Sequence, residues 1–349
     1  MGEMKFLSAD KLTQWLEELS RTSTVLAPTQ EDDAVVFRPY DPDRELRLER
    51  QPTMPPKEAL FPGSETLLQY QYRKDPENPG KQTIEVRESQ PAVNQVVFGA
   101  RPCGARGFTI FDPVFEEGGY QDPYYQARRQ STLFVTLACS VPENTCFCHW
   151  VGSSPSDPRG SDVLLTPVES GYALEAITQG GERLLASELL TDGESVREEM
   201  EEVKQAARKE LGQAPDLSDV PQKLFDLFED LDFWDRMSAK CISCGACTYL
   251  CPTCYCFTIT DEPKGASGER VRSWDNCMSY LFTLEGSGHN PRPTKAHRLR
   301  NRVGHKFSYY PRLHEQAFAC CGCGRCIKSC PVCVDIREII LSAKEHPHE

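Results

Sequence analysis

Two short cysteine runs have the residue types and the spacing to bind iron and sulfide. The runs that start at Cys241 and Cys320 share the pattern Cys-x2-Cys-x2-Cys-x3-Cys-Pro. Three thiolates of such a run bind one cluster, and the fourth binds the other cluster of the pair. Two copies therefore predict two [4Fe–4S] clusters. The predicted ligands are Cys241, Cys244, Cys247 and Cys330 for the first cluster, and Cys320, Cys323, Cys326 and Cys251 for the second.

Zinc is the alternative metal for these eight thiols, since four sulfurs at Cys-x2-Cys spacing also bind zinc tetrahedrally. Zinc sites use pairs of Cys-x2-Cys and need neither the third cysteine of each run nor its Cys-Pro ending. Gly245, Gly322 and Gly324 allow the backbone to fold closely around a cluster and offer N–H groups to sulfur. Iron–sulfur binding is the prediction, and a colourless, redox-silent zinc scaffold is the alternative.

Four cysteines of the N-terminal part could form a third centre. Each follows a predicted strand or lies in the loop after it, where side chains converge at the edge of a sheet. The spacing is also compatible with zinc, and buried free thiols are common. Among metal centres it favours an iron–sulfur cluster. The four are Cys103, Cys139, Cys146 and Cys148.

Five further cysteines have no assigned role in this scheme. They could shield the clusters or replace one of the ligands above, and Cys321 in particular adjoins Cys320, although the spacing favours Cys320. His149 and His305 could in principle ligate iron, but a lone histidine is more often a hydrogen-bonded residue. The unassigned cysteines are Cys254, Cys256, Cys277, Cys321 and Cys333.

The elements around these residues predict a mixed α+β protein. Residues 1–215 are predicted to form an α/β domain, and residues 216–349 a helical, ferredoxin-like dicluster domain with a long insert of 68 residues between Cys251 and Cys320. Apolar residues at helical spacing predict helices over 9–20, over 195–211 and after Pro221. Short apolar runs between Pro and Gly predict strands. The predicted strands cover residues 34–37, 66–72, 83–86, 95–99, 132–138, 162–166 and 172–177.

Charge argues against nucleic acid as a partner. The chain has 39 Lys and Arg against 52 Asp and Glu, a net charge of −13, which repels phosphate backbones and anionic membranes. Residues 286–314 contain no acid and carry seven Lys and Arg. Because thiolate-bound clusters are anionic, we interpret this segment as compensating their charge or docking an acidic partner.

The absence of certain sequence patterns predicts where the protein is located and which cofactors it does not bind. No run of eighteen apolar residues predicts a membrane span, and the N-terminus lacks the layout of a signal peptide, which predicts a cytoplasmic protein. A reducing cytosol does not maintain disulfides, so 17 cysteines indicate metal binding. Without a GxGxxG or Walker sequence, we expect no flavin or NAD site in this chain.

The motifs together resemble a family of dicluster iron–sulfur subunits. Its members are the beta subunits of cytoplasmic NAD(P)-linked nickel–iron hydrogenases (sulfhydrogenases) and the electron-input subunit of anaerobic sulfite reductase. The likeness covers nearly the whole chain. It rests on the first motif with its continuation Cys-Pro-Thr-Cys-Tyr-Cys-Phe at 251–257, Ser-Trp-Asp-Asn-Cys-Met at 273–278, His-Lys at 305–306, Cys-Gly-Cys-Gly-Arg-Cys at 321–326, Ala-Arg-Pro-Cys at 100–103, Ala-Cys at 138–139 and Asn-Thr-Cys-Phe-Cys at 144–148.

The resemblance implies a non-catalytic subunit that passes single electrons between two partners. One partner would be a flavoprotein that binds NAD(P)H, and the other a catalytic subunit that reduces protons or sulfur compounds. The resemblance also favours a third cluster at the four N-terminal cysteines. Related chains serve anaerobic sulfite reductase or flavin modules attached to heterodisulfide reductase. An enzyme is the competing class, in which the N-terminal cysteines and His149 reduce a sulfur compound directly.

Overall fold

The computed structural model describes residues 4–78, 80–116, 119–314 and 317–347, and it confirms a mixed α and β architecture. The strands are β1 (Met4–Ser8), β2 (Thr24–Glu31), β3 (Ala34–Pro39), β4 (Ser64–Lys74), β5 (Gln82–Glu88), β6 (Gln95–Ala100), β7 (Thr132–Leu137), β8 (Val163–Val168), β9 (Gly171–Ala176), β10 (Thr191–Asp192), β11 (Phe257–Lys264) and β12 (Ser267–Trp274). The α-helices are α1 (Leu12–Ser20), α2 (Pro102–Phe115), α3 (Pro123–Gln130), α4 (Gln179–Leu184), α5 (Arg197–Glu210), α6 (Val220–Asp226), α7 (Leu231–Ser238), α8 (Ala246–Tyr249), α9 (Lys295–Gly304), α10 (Tyr310–Leu313), α11 (Arg325–Lys328) and α12 (Ile336–Glu345).

An eight-stranded sheet organises the N-terminal part, with the strand order β10-β1-β9-β8-β7-β6-β2-β3. Strands β2, β6, β7 and β8 are parallel, and the outer pairs are antiparallel. One face packs on α1, where Trp15, Leu16 and Leu19 are buried. The other face packs on α2 and α3 through an aromatic cluster that includes Phe108 and Phe111. The parallel centre places the carboxyl ends of β6, β7 and β8 at one edge.

The periodicity predicted seven strands, and each of them is present as β3 to β9 with small differences in its ends. Strands β1 and β2 were not predicted. Strand β1 has only five residues, and β2 contains Pro28, which interrupts the pattern of a central strand. The predicted helix over 9–20 is a short 3-10 turn at Ala9–Lys11 followed by α1.

A second sheet joins the two parts of the chain. The hairpin β11–β12 lies in the insert between the cysteine motifs and pairs with β4 and β5 in the order β11-β12-β4-β5. Arg272 of β12 is buried and bonds Glu65 of β4 and Asp122 at the start of α3. The sheet therefore crosses the expected boundary near residue 215. The insert contains strands as well as helices, so the C-terminal part is not purely helical.

The C-terminal helices surround the cysteine motifs. A core cluster from α6, α7, α9 and α12 includes Trp234, Phe307 and Ile340, and it extends to Phe147 and Val151 of the N-terminal part. Helix α9 continues into a π-helical turn at His305–Tyr309. Such turns occur often at functional sites. This turn places Lys306 in the interior between the two motifs.

Candidate iron–sulfur centres

The two motifs have the same local structure. In each, a glycine in the left-handed region precedes a one-turn helix: Gly245 (φ 78°) begins α8, and Gly324 (φ 73°) begins α11. Backbone N–H groups point at sulfur, and Gly322 is the one predicted glycine among the three donors. The N–H groups of Ser243, Gly322 and Val334 donate to the Sγ atoms of Cys241, Cys320 and Cys330 over 3.4, 3.4 and 3.2 Å.

The four thiols predicted for the first cluster line one cavity. Cys241, Cys244 and Cys247 come from the first motif, and Cys330 comes from the end of the second. The remaining walls are mostly apolar, with Met278, Leu299, Val303 and Ile339 among them. Cys244 is exposed, so this cavity lies close to the surface.

The four thiols predicted for the second cluster line a neighbouring cavity. Cys251, Cys320, Cys323 and Cys326 contribute to its wall, together with Cys321, Arg302 and Lys306. The structure therefore brings together each crossed set, in which the fourth cysteine of one motif joins the first three of the other. Arg302, Cys326 and Ile336 line both cavities, which places the two candidate centres side by side.

The four N-terminal cysteines lie together at the carboxyl edge of the large sheet. Cys103 follows β6 in the first turn of α2, and Cys139 follows β7, which pairs in parallel with β6. Cys146 and Cys148 lie in the next loop, and the four thiols are close enough to act on one another electrostatically. Burial raises the pKa of Cys103 and that of Cys146 to about 12.

This third group adjoins the second motif. Cys103 packs with Cys321 and Cys323 in one buried cluster. Arg325 lies between the groups, since its guanidinium is 3.7 Å from the Cys103 sulfur and its charge also acts on Cys323. The three candidate sites therefore follow one another as third, second and first.

Buried cations surround the sulfurs. Lys57, Arg302, Lys306 and Arg325 are 2–4% exposed, and among the described residues no carboxylate lies within salt-bridge distance of any of them. Burial of a cation without an anionic partner is costly. Thiols are the groups that lie next to these cations. Burial opposes the charge of Lys306, yet Cys251 and other neighbouring thiols raise its pKa. The donor set therefore fits an anionic, thiolate-bound cluster.

Two motif thiols are already favoured as thiolates. A hydrogen bond from Cys321 lowers the pKa of Cys323 to about 6. A hydrogen bond from the Cys254 thiol is the main cause that lowers the pKa of Cys251 well below its usual range. Because iron binds the thiolate, both contacts prepare second-site sulfurs for a metal.

Sequence reasoning missed the four buried cations as a set. Lys57 lies in a 3-10 turn at Pro56–Ala59, almost two hundred residues before the motif whose Tyr249 and Cys254 carbonyls it bonds. Arg302 and Lys306 belong to the basic segment over 286–314. Their burial beside sulfur supports charge compensation as the role of that segment.

The other candidate residues are the two histidines and four of the cysteines that had no assigned role. His149 is partly buried and packs edge-on against Trp150. His305 bonds the Tyr255 hydroxyl through Nε2 at 2.9 Å, and burial lowers its pKa to about 4. Cys333 is exposed. Cys254, Cys256 and Cys277 gather beside the second cavity, as described below.

Within the described residues, no group of three or more His, Cys, Asp or Glu side chains has the spacing to bind a single metal ion. A four-iron cluster binds each thiolate through a different iron atom, so its ligands are spread more widely than those of one ion. None of the described helices is long and apolar enough to cross a membrane.

Comparison with known proteins agrees with this geometry. The family model for a 4Fe-4S dicluster domain matches residues 240–334. Sulfhydrogenase 2 subunit beta of Pyrococcus furiosus is 27% identical over 347 residues, covering 97% of this chain and 98% of that subunit. No solved structure matches the chain. The resemblance of the motifs to the dicluster iron–sulfur subunits of the sulfhydrogenase beta type is thereby confirmed.

Proposed function

We propose that this chain is the electron-transfer subunit of an oxidoreductase complex and relays single electrons between two partner subunits. It would hold two [4Fe–4S] clusters at the crossed motif sets and a third iron–sulfur centre at the N-terminal set. Bound clusters supply one-electron chemistry over a wide range of potentials. The chain itself supplies ligation, burial and charge. The proposed ligands of the third centre are Cys103, Cys139, Cys146 and Cys148.

The observation that carries the proposal is the set of buried cations beside thiols. Lys57, Arg302, Lys306 and Arg325 have no carboxylate partner among the described residues, and each acts electrostatically on two or more cysteine sulfurs. Neutral thiols would leave these charges uncompensated in the interior. Anionic clusters balance them, and buried positive charge in turn favours the reduced, more negative state of a cluster.

The order of the sites supports a relay. The first site reaches the surface at Cys244, and the third site contains the half-buried residues Cys139 and Cys146. The second site lies between them: its Cys251, Cys320 and Cys323 are buried, and its Cys326 is half-buried. Two accessible ends and a largely enclosed middle are what a relay protein needs in order to receive electrons from one partner and deliver them to another.

The relative is named as a sulfhydrogenase subunit, which supports assembly of this chain with other subunits. We propose a flavoprotein that binds NAD(P)H on one side and a catalytic oxidoreductase subunit on the other. Anaerobic purification with copurifying subunits, iron analysis and electron paramagnetic resonance test this. About twelve irons per chain and interacting [4Fe–4S] signals are expected. Far fewer than about eight irons, or zinc in their place, would overturn the proposal.

A further inference from the structure

Three cysteines outside the proposed ligand sets gather where the insert hairpin meets the motifs. Cys254 and Cys277 are buried, and Cys256 is half-buried. Cys256 comes just before β11, and Cys277 follows β12 by three residues. The Asp275 N–H donates to the Cys256 carbonyl at 2.9 Å, which continues the hairpin ladder to the cysteines. The two chain segments that carry Cys256 and Cys277 are therefore held side by side.

Cys256 and Cys277 interact directly as a pair. Each thiol is the first cause of the pKa shift of the other, and the Cys277 backbone N–H also favours the thiolate form of Cys256. The contact lowers the pKa of Cys256 and raises that of Cys277. A thiol that loses its proton more readily, beside one that keeps it, is the arrangement from which a disulfide forms.

The pair interacts electrostatically with thiols next to both cavities. Cys277 acts electrostatically on Cys247 of the first site. On the other side, Cys254 is hydrogen-bonded to Cys251 of the second site and acts electrostatically on Cys256. Arg302, which lines both cavities, is 3.7 Å from the Cys254 sulfur.

Buried cations also adjoin the pair. Lys57 lies over the Trp274 ring at 3.8 Å, at the end of β12, and its charge interacts with Cys256. Lys306 acts on both Cys256 and Cys277. This positive surrounding stabilises a thiolate in an otherwise enclosed place.

We propose that Cys256 and Cys277 form a redox-active dithiol–disulfide couple beside the two motif centres. In the oxidation step, the Cys256 thiolate and the Cys277 thiol form one S–S bond, the Cys277 S–H bond breaks, and its proton passes to solvent. Two electrons leave, and the iron–sulfur clusters proposed for the two motif sites would be their one-electron acceptors. The couple thereby links two-electron and one-electron chemistry within the chain. The identity of the electron acceptors rests on the proposed function, whereas the S–S bond is observable without it.

The test follows the oxidation state of each cysteine in the cluster-loaded full chain. The protein is poised anaerobically at a series of potentials with redox mediators and quenched in acid, which stops thiol exchange because it removes thiolates. Free thiols are labelled with a light alkylating agent. Disulfides are then reduced and labelled with the heavy form of the same agent, and the peptides are analysed by mass spectrometry. Cys256 and Cys277 should change from light to heavy together. Their heavy-to-light ratio should rise tenfold for about every 30 mV, the slope of a two-electron couple.

Variants separate this couple from a ligand role. Cys256→Ser should leave Cys277 in the light form at every potential, with unchanged iron content and unchanged cluster signals. The control Cys333→Ser, at an exposed position, should keep the joint change. Light label on both cysteines at all potentials, or disulfide bonds to other cysteines, would overturn the proposal. So would a loss of about four irons in Cys256→Ser, since that loss would make Cys256 a cluster ligand. Absence of cluster signals in the parent protein would instead count against the proposed function alone.

Discussion

The Phe147 N–H donates a 2.8 Å hydrogen bond to the Gly322 carbonyl, so the loop of the proposed third centre is attached to the backbone of the second motif. Gly322 has a φ of 62°, and a Cβ atom there would lie 2.5 Å from the Cys148 Cα. Gly324 makes a similar approach to the Thr145 backbone. The two parts of the chain therefore build their neighbouring sulfur sites on one shared contact.

Gly322→Ala should push the loop that carries Cys148 away from the second motif and so break this contact. The substitution adds both left-handed strain and a backbone collision, whereas Gly152→Ala, at a φ of 69° with open space around it, adds only the strain. We expect Gly152→Ala to lower the free energy of unfolding by about 1–2 kcal/mol. Gly322→Ala should lower it by clearly more and reduce the iron content. Denaturant unfolding and iron analysis measure both effects, and equal losses in the two variants would contradict the shared contact.

The crossed ligand sets predict which substitutions act alike. Cys244→Ser and Cys330→Ser should remove the same cluster signal although they lie in different motifs. Cys323→Ser and Cys251→Ser should both remove the other signal. Electron paramagnetic resonance of the reduced variants distinguishes the signals, with Cys333→Ser as the unaffected control. If Cys330→Ser behaved like Cys323→Ser, each motif would hold its own cluster.

The proposed third centre predicts that its iron can be lost while the iron of the two motif centres is kept. Cys148→Ser should lower the iron content by about four atoms per chain at most and leave both motif signals in place, because its thiol belongs to the N-terminal set. His149→Gln is the matched neighbour and should keep all the iron. Loss of turnover of a sulfur compound in either variant, with artificial reductant and the isolated chain, would support the enzyme alternative instead.

Arg302 should raise the potentials of both motif centres, since it lines both cavities and is fully buried. Removal of its positive charge makes the reduced, more negative state less favourable. Arg302→Gln should therefore lower both potentials, by on the order of 50–100 mV. Arg302→Lys should restore most of the difference. A redox titration followed by paramagnetic resonance measures this, and Arg312→Gln, at an exposed position, should leave both potentials unchanged.

His305 predicts a loss of stability in mild acid. Burial lowers its pKa to about 4 in the folded chain, from a usual value of 6.5. Between these values the unfolded chain binds a proton that the folded chain does not, so stability falls as the pH drops through this window. The full effect is about 3 kcal/mol. Unfolding measured at about pH 7.5 and at about pH 5 compares the parent with His305→Gln, which keeps an acceptor for Tyr255 and should lose less stability in acid.

Much of the fold and of the site could be predicted because its determinants are local. The spacing of the motifs depends on neighbouring residues, and the crossed sets that it predicts line two cavities. Apolar periodicity predicted strands β3 to β9 for the same reason. Strand β2 was not predicted because Pro28 interrupts its strand pattern. Its position between β6 and β3 depends on partners that are distant along the chain.

The sequence by itself determined the ligand type, the two-motif pattern and the alternation of strands, because each is encoded within a few consecutive residues. Only the tertiary structure decided that Lys57 lies beside the first motif, that the hairpin β11–β12 extends a sheet begun at β4, and that Cys256 contacts Cys277. These contacts join residues far apart along the chain. They form because buried charge and apolar surface are stabilised only by contacts with other parts of the chain. No short stretch of residues specifies which part that is.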